Sequence, residues 1–171
     1  NDQFDIEKLI QHAKDAAPKI AGASTKTKNN AILAFAKALK DQESVILAEN
    51  TKDIAAGKQK GLSDALIDRL ALNEARLAAM QKSLYEIAAL PDPVGQINQL
   101  VPRPSGIVVG KMRVPIGILL MIYEARPNVT ADAGALCLKS GNVVILRGGR
   151  EALHSNTILA RLFQEAIVQS G

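Results

Sequence analysis

Tryptophan is absent from this sequence, cysteine occurs once, and aromatic residues make up 3% of its 171 residues. A single cysteine excludes a disulfide framework and suits a reducing compartment. Nucleic-acid-binding chains usually carry a basic stripe or stacking aromatics, and neither is present. The net charge of +4 arises from lysines and acids interspersed along the chain, the pattern of solvated helix faces. Long apolar runs are missing as well. The longest, Ile116 to Tyr123, is far too short to span a bilayer. The opening "NDQFDIEKL" has neither a basic n-region nor an apolar h-region, so it does not read as a signal peptide. The expectation is a soluble, cytoplasmic protein with no nucleic-acid and no membrane partner.

What is present is aliphatic. Hydrophobic residues form 47% of the chain, mostly Ala, Leu, Ile and Val, enough for the core of one or two small domains. The first 90 or so residues read as helices. Ile6, Leu9, Ile10, Ala13, Ala17 and Ile20 follow a 3.6-residue period, and so do Ile32, Phe35 and Leu39 after a Ser24-Thr25 start signal. Val45 to Ala56 suggests a further helix, stopped near Gly57 and Gly61. Leu77, Met80, Leu84 and Ile87 mark another, ended by Pro91 and Pro93.

The stretch "PDPVGQINQLVPRPSGIVVGKMRVPIG" holds five of the seven prolines. Two short strands with a turn at Ser105-Gly106, or at Gly110-Lys111, would form an extended hairpin. A ribbon of that size is not stable alone, so it should pair elsewhere, within the molecule or with another subunit. From Pro115 the pattern changes again. "IGILLMIY" predicts a strand covered on both faces. Val129, Ala133, Leu136 and Cys137 would then share the buried face of a helix ended by Gly141. "NVVIL" predicts a second strand, and Leu159, Leu162, Phe163, Ala166 and Ile167 the buried face of a last helix. This β-α-β-α order predicts parallel strands. Two strands do not complete a sheet, so the chain is expected to be a piece of a larger α/β protein.

Ligands of open parallel sheets bind beyond the carboxyl ends of the strands. That rule selects Tyr123, Glu124, Arg126 and Asn128 after the first strand, and Arg147, Gly148, Gly149 and Arg150 after the second. The helix N-terminus and the guanidiniums suit an anion, and the glycines would let a ligand approach the backbone. A nucleotide follows as the hypothesis. The alternative is equally open on spacing alone: Glu124 and Arg126 as a surface ion pair, Asn128 as a helix cap, and Gly148-Gly149 as an ordinary turn. No dinucleotide glycine fingerprint and no P-loop occur. Cys137 lies mid-helix between Leu136 and Leu138, and apolar burial makes a cysteine inert, so it reads as structural. No spacing suggests a metal site.

The stretch "VPIGILLMIYEARPNVTADAGALCLKSGNVVILRGGREALHSN", Val114 to Asn156, closely resembles the γ-glutamyl phosphate reductases (glutamate-5-semialdehyde dehydrogenases) of the aldehyde dehydrogenase superfamily. "YEARPNVT", "ALCLKSGN" and "RGGREA.HSN" occur in order, and the helical first half and the hairpin also fit that family's N-terminal part. The resemblance implies an α/β, aldehyde dehydrogenase-like fold. Residues 1–96 would form the helical part of the cofactor-binding domain, residues 97–114 an oligomerisation ribbon, and residues 115–171 the start of a Rossmann-like domain. The catalytic domain would lie outside this chain.

The implied reaction is NADPH-dependent reduction of L-glutamyl 5-phosphate to L-glutamate 5-semialdehyde and phosphate in proline biosynthesis. The nucleophilic cysteine of the family lies downstream, so these residues alone are expected not to turn over substrate. In the superfamily a basic residue ending the second strand holds the adenosine ribose, and Arg147 matches it. Three residues on, many NAD-preferring relatives carry a glutamate. Arg150 stands there instead and would pair with the 2′-phosphate of NADP(H). Tyr123, Glu124 and the two glycines complete the expected cofactor contacts, and Glu124, Arg126 and Asn128 the expected substrate contacts. The superfamily has an oxyanion-hole asparagine near the end of the first strand; this stretch reads "EARPN", with Asn128 beyond the strand end. A homo-oligomer is implied, with glutamate 5-kinase as a pathway partner. Another acyl-phosphate or aldehyde dehydrogenase of the superfamily, or a non-catalytic oligomerisation module, would be the alternatives.

Overall fold

The structure is a computed structural model that describes residues 5–171. Residues 1–4, part of the opening read against a signal peptide, lie outside the described residues. Five helices come first: α1 (Ile6–Ala21), α2 (Thr25–Asp41), α3 (Glu43–Gln59), α4 (Asp64–Leu70) and α5 (Glu74–Ala89). Their starts are set locally. Ser24 Oγ accepts the Thr27 N–H at 3.0 Å and Asn73 Oδ1 accepts the Arg76 N–H at 2.8 Å, so each side chain satisfies an amide that the first turn leaves free.

Two of these helices depart from expectation. Helix α4 spans only 7 residues, too few for a helical period to show in sequence. Gly57 does not end α3 but lies buried within it, where a Cβ would come within 2.9 Å of the Leu62 side chain. The stop falls at Gly61, whose φ of +75° is open to glycine at little cost.

A ribbon follows, with β1 (Ile97–Pro102) antiparallel to β2 (Val108–Met112). Its turn is at Ser105-Gly106, with Gly106 at φ +86°, so Gly110-Lys111 lies within a strand instead. Beyond the ribbon come β3 (Ile118–Ile122), α6 (Pro127–Lys139), β4 (Val143–Arg147), a single 3-10 turn (Arg150–Ala152) and α7 (Leu153–Ser170). Strands β3 and β4 pair in parallel, Ile118 opposite Val143 and Ile122 opposite Arg147.

The main core lies among helices. Ile32, Phe35, Ala36 and Leu39 of α2 pack with Leu77, Met80, Leu84 and Ile87 of α5 and with Leu159, Leu162 and Phe163 of α7. The Phe35 and Phe163 rings stack with centroids 4.7 Å apart. Helix α6 joins this core through Ala131, Ala135 and Leu138, and Gly134 admits the Phe163 ring where a Cβ would stand 2.7 Å from it. The buried face of α6 is therefore only partly the expected one: Ala133 is buried, but Leu136 is 48% exposed, and Val129 and Cys137 are half-buried. Small residues win that face because α6 crosses close to α7.

Strand β3 also departs from expectation. Leu120 is 63% and Ile122 74% exposed, so the strand is not covered on both faces. Its continuous apolar run is suited to a neighbour that the described residues do not supply. No described helix is long and apolar enough to cross a membrane.

Candidate functional site

Parallel pairing places the carboxyl ends of β3 and β4 side by side, and the Tyr123 N–H donates to the Arg147 carbonyl at 3.1 Å. The two loops singled out in the sequence therefore open on one edge. Tyr123, Arg147, Gly148, Gly149 and Arg150 line a single cavity of about 530 Å³ there, together with Thr130 and Asn156. Arg147 and Arg150 are exposed, and Arg147 Nη1 donates to the Gly148 carbonyl at 3.1 Å.

The glycines also have a reason within the protein itself. A Cβ on Gly148 would collide with the Asn156 amide nitrogen and meet the Tyr123 ring at 3.1 Å. A Cβ on Gly149 would lie 3.3 Å from the Ala125 amide nitrogen. The protein itself packs against the loop where side chains would stand. That close packing holds the Arg147–Arg150 backbone against the floor of the cavity.

The floor is a short polar relay. The Tyr123 hydroxyl lies 2.6 Å from Thr130 Oγ1, and Thr130 Oγ1 donates to Asn156 Oδ1 at 2.9 Å. Thr130 has one hydroxyl proton, so Tyr123 is the donor to it. Burial pushes the Tyr123 phenol up, partly offset by its hydrogen bond to Thr130, and keeps it protonated at neutral pH. Thr130 and Asn156 were not singled out in the sequence. Each sits early in the helix that follows its strand, and each closes one of the family-like motifs, "YEARPNVT" and "RGGREA.HSN", which was the signal that could have found it.

The remaining candidates part from this cavity. Arg126 and Asn128 line a second one, of about 390 Å³, with Arg69, Arg76, Ser83 and Asp132. Glu124 lines neither cavity; its carboxylate is 3.4 Å from Arg69 Nη1, so its ion-pair partner is Arg69 and not Arg126. Arg76 is already engaged with Asp68 at 2.8 Å, whereas Arg126 has no ion pair among the described residues. Asn128 is not the cap of α6, because Arg126 holds the cap position and no side chain bonds the first turn. The Asn128 amide reaches Asp132 at 3.4 Å instead.

Cys137 is half-buried, and burial alone pushes its thiol above the usual range, away from the reactive thiolate. Among the described residues no group of His, Cys, Asp and Glu gathers as a metal would require.

The start of α7, which carries Asn156, is held from a distance. The buried Asp53 carboxylate accepts the Ser155 N–H at 2.8 Å, its hydroxyl at 2.7 Å and the His154 N–H at 3.1 Å. Asn50, also buried, donates to Ser155 Oγ and to the Leu70 carbonyl, and accepts the Leu72 N–H. These bonds join α3, α4 and α7 behind the cavity.

The aldehyde dehydrogenase family matches the chain over residues 1–171. A γ-glutamyl phosphate reductase of Moorella thermoacetica is 51% identical over 171 residues, which are 100% of this chain and 41% of that protein. The crystal structure of the Thermotoga maritima γ-glutamyl phosphate reductase superposes with a TM-score of 0.92 at 36% identity, over 96% of this chain and 40% of that one. The Saccharomyces cerevisiae γ-glutamyl phosphate reductase superposes with a TM-score of 0.89 at 31% identity, over 95% of this chain and 41% of that one. The chain thus spans about two-fifths of the length of the relatives it matches.

Proposed function

The chain belongs to the aldehyde dehydrogenase family, and from that membership we propose that it is the N-terminal part of a γ-glutamyl phosphate reductase. The complete protein would convert L-glutamyl 5-phosphate to L-glutamate 5-semialdehyde and phosphate. NADPH, when bound, supplies the hydride.

One observation carries this reading: two guanidiniums stand at the mouth of a cavity formed at the carboxyl edge of a parallel strand pair. In this proposal the cavity holds the adenosine end of NADP(H). Arg147 meets the ribose that NAD and NADP share. Arg150 meets the 2′-phosphate with parallel N–H···O bonds that a guanidinium forms and an ammonium does not. Tyr123 and the Gly148-Gly149 backbone close the cavity floor. Glu124 lines neither cavity; its contribution is to hold Arg69 beside the second one.

The second cavity takes the acidic substrate. Arg126, unpaired among the described residues, is the cation that a substrate carboxylate would find, and Asn128 adds an amide donor beside it. The resemblance puts the nucleophilic thiolate elsewhere in the complete protein, and Cys137, with its thiol held protonated by burial, does not replace it. The isolated chain is therefore inactive. A cytoplasmic homo-oligomer, receiving its labile acyl phosphate from glutamate 5-kinase, fits the same reading.

The test is an assay of the complete purified protein. NADPH consumption that depends on L-glutamyl 5-phosphate and releases phosphate is the expected result. Turnover with acetyl phosphate or simple aldehydes but not with the glutamyl substrate would indicate another member of the family. No turnover with any of them would overturn the enzymatic reading.

A further inference from the structure

We infer that Asn156 selects the ligand of the Arg147–Arg150 cavity, its amide turned by Tyr123 and Thr130 so that its nitrogen donates to an oxygen of the nucleotide's ribose or of the phosphate that ribose carries. The inference rests on the nucleotide reading above and adds to it a donor that neither the sequence pattern nor the resemblance assigns.

A tyrosine hydroxyl and a threonine hydroxyl each have one proton to donate. Thr130 gives its proton to Asn156 Oδ1, so the Tyr123 proton must go to Thr130. The chain of donation runs one way, from Tyr123 through Thr130 to the carbonyl oxygen of Asn156. Burial keeps Tyr123 protonated, so the direction does not reverse near neutral pH. An asparagine whose oxygen is held in this way has a fixed nitrogen.

That nitrogen has no hydrogen-bond partner among the described residues. It is not sealed away, however, because no fully buried side-chain nitrogen or oxygen in the described residues lacks a partner. The Asn156 amide nitrogen is therefore not fully buried, and the residue lines the cavity. It lies directly against the Gly148 backbone, between the two arginines in sequence, which is why no Cβ fits at Gly148.

An amide donor without a protein acceptor, beside two arginines, calls for an acceptor on the ligand. A ribose hydroxyl oxygen and a 2′-phosphate oxygen both have that chemistry. The ordinary alternative is a polar residue that merely closes the end of α7. It would leave the orientation of the amide without consequence for binding.

Titration of the complete protein with NADPH and with NADH, followed by calorimetry, tests the inference in the wild type, Asn156→Ala, Thr130→Val and the double variant. Loss of one neutral hydrogen bond is expected to weaken NADPH by roughly five- to tenfold in Asn156→Ala. Thr130→Val, which cannot touch the ligand through a hydroxyl, should weaken it roughly threefold, and this loss should vanish when Asn156 is already alanine. A purely structural role for Thr130 would give the same loss in both backgrounds and would overturn the relay. An equal effect on NADH and NADPH places the acceptor on the ribose, and a larger effect on NADPH places it on the phosphate. Should Thr130→Val fail to fold, Tyr123→Phe in the same two backgrounds serves in its place. Unchanged NADPH affinity in Asn156→Ala, with binding still weakened by Arg150→Glu, would overturn this inference and leave the nucleotide reading standing. A wild-type protein that binds neither dinucleotide would remove both.

Discussion

The Asp53 carboxylate bonds the Ser155 N–H at 2.8 Å across 102 positions of sequence. Helix α7 has no side-chain cap of its own, and Asp53 on α3 provides one from outside. A carboxylate at a helix N-terminus is favoured by the free N–H groups and the helix dipole together.

Replacing Asp53 with alanine removes three hydrogen bonds and leaves the buried Ser155 N–H and hydroxyl without a charged acceptor. The expected loss is about 2–4 kcal/mol, since bonds to charged groups contribute more than neutral ones and their stranded partners remain desolvated. A thermal denaturation midpoint unchanged within error would contradict it. Asp53→Asn should lose less, because the amide oxygen still accepts while its nitrogen meets another donor.

Acid should find the weakest point at Asp92. Its carboxyl is opposed by burial but held below the usual range by Lys28 at 2.5 Å, by Thr25 and by the Val94 N–H. Lys139 lies in the same cluster, its ammonium bonded to Asn29 and the Ala88 carbonyl. Burial pushes Lys139 below the usual lysine range, with Asp92 opposing and Lys28 adding to the shift. A carboxyl with a depressed folded pKa takes up protons more readily in the unfolded chain. Its stabilising contribution is thus present above the ordinary Asp range near 4 and lost as pH falls through the lower folded value. The wild-type melting temperature should fall below about pH 4 more steeply than that of Asp92→Asn. Parallel curves would show that Asp92 does not govern the acid limb.

Cofactor preference should reside in Arg150. Arg150→Glu in the complete protein replaces attraction to a 2′-phosphate by repulsion, and bonds of this kind contribute about 1.5–3 kcal/mol each. NADP affinity is expected to fall by roughly tenfold or more while NAD changes much less. Arg147→Ala should weaken both, because its expected contact is to the ribose. An unaltered NADP-to-NAD ratio in Arg150→Glu would rule out Arg150 as the phosphate contact.

The ribbon should join subunits. Every residue of β1 and β2 is exposed, including Ile97, Leu100, Val108 and Met112. An unpaired, apolar, two-stranded edge is a template for pairing with another chain. Lysine at Val108 and Val109 should shift the complete protein toward monomer on a sizing column. An elution volume equal to that of the wild type would mean that the ribbon does not hold the oligomer together.

Sequence alone determined what depends on near neighbours. The start of α2 at Ser24-Thr25, the buried line of Leu77, Met80, Leu84 and Ile87, and the turn residue Gly141 at φ +74° all follow from periods and caps that act within a few residues. The meeting of the Tyr123 and Arg147 loops was legible too, because a parallel β-α-β places both strand ends on one edge. Tertiary structure decided who touches whom. Glu124 meets Arg69, 55 positions away, rather than Arg126 two residues on. The face of α6 is set by how closely Phe163 approaches Gly134, which no local pattern records. Asp53, Thr130 and Asn156 looked like ordinary polar residues because their partners come from other elements, and a hydrogen bond is chosen by proximity in space, which chain spacing does not encode.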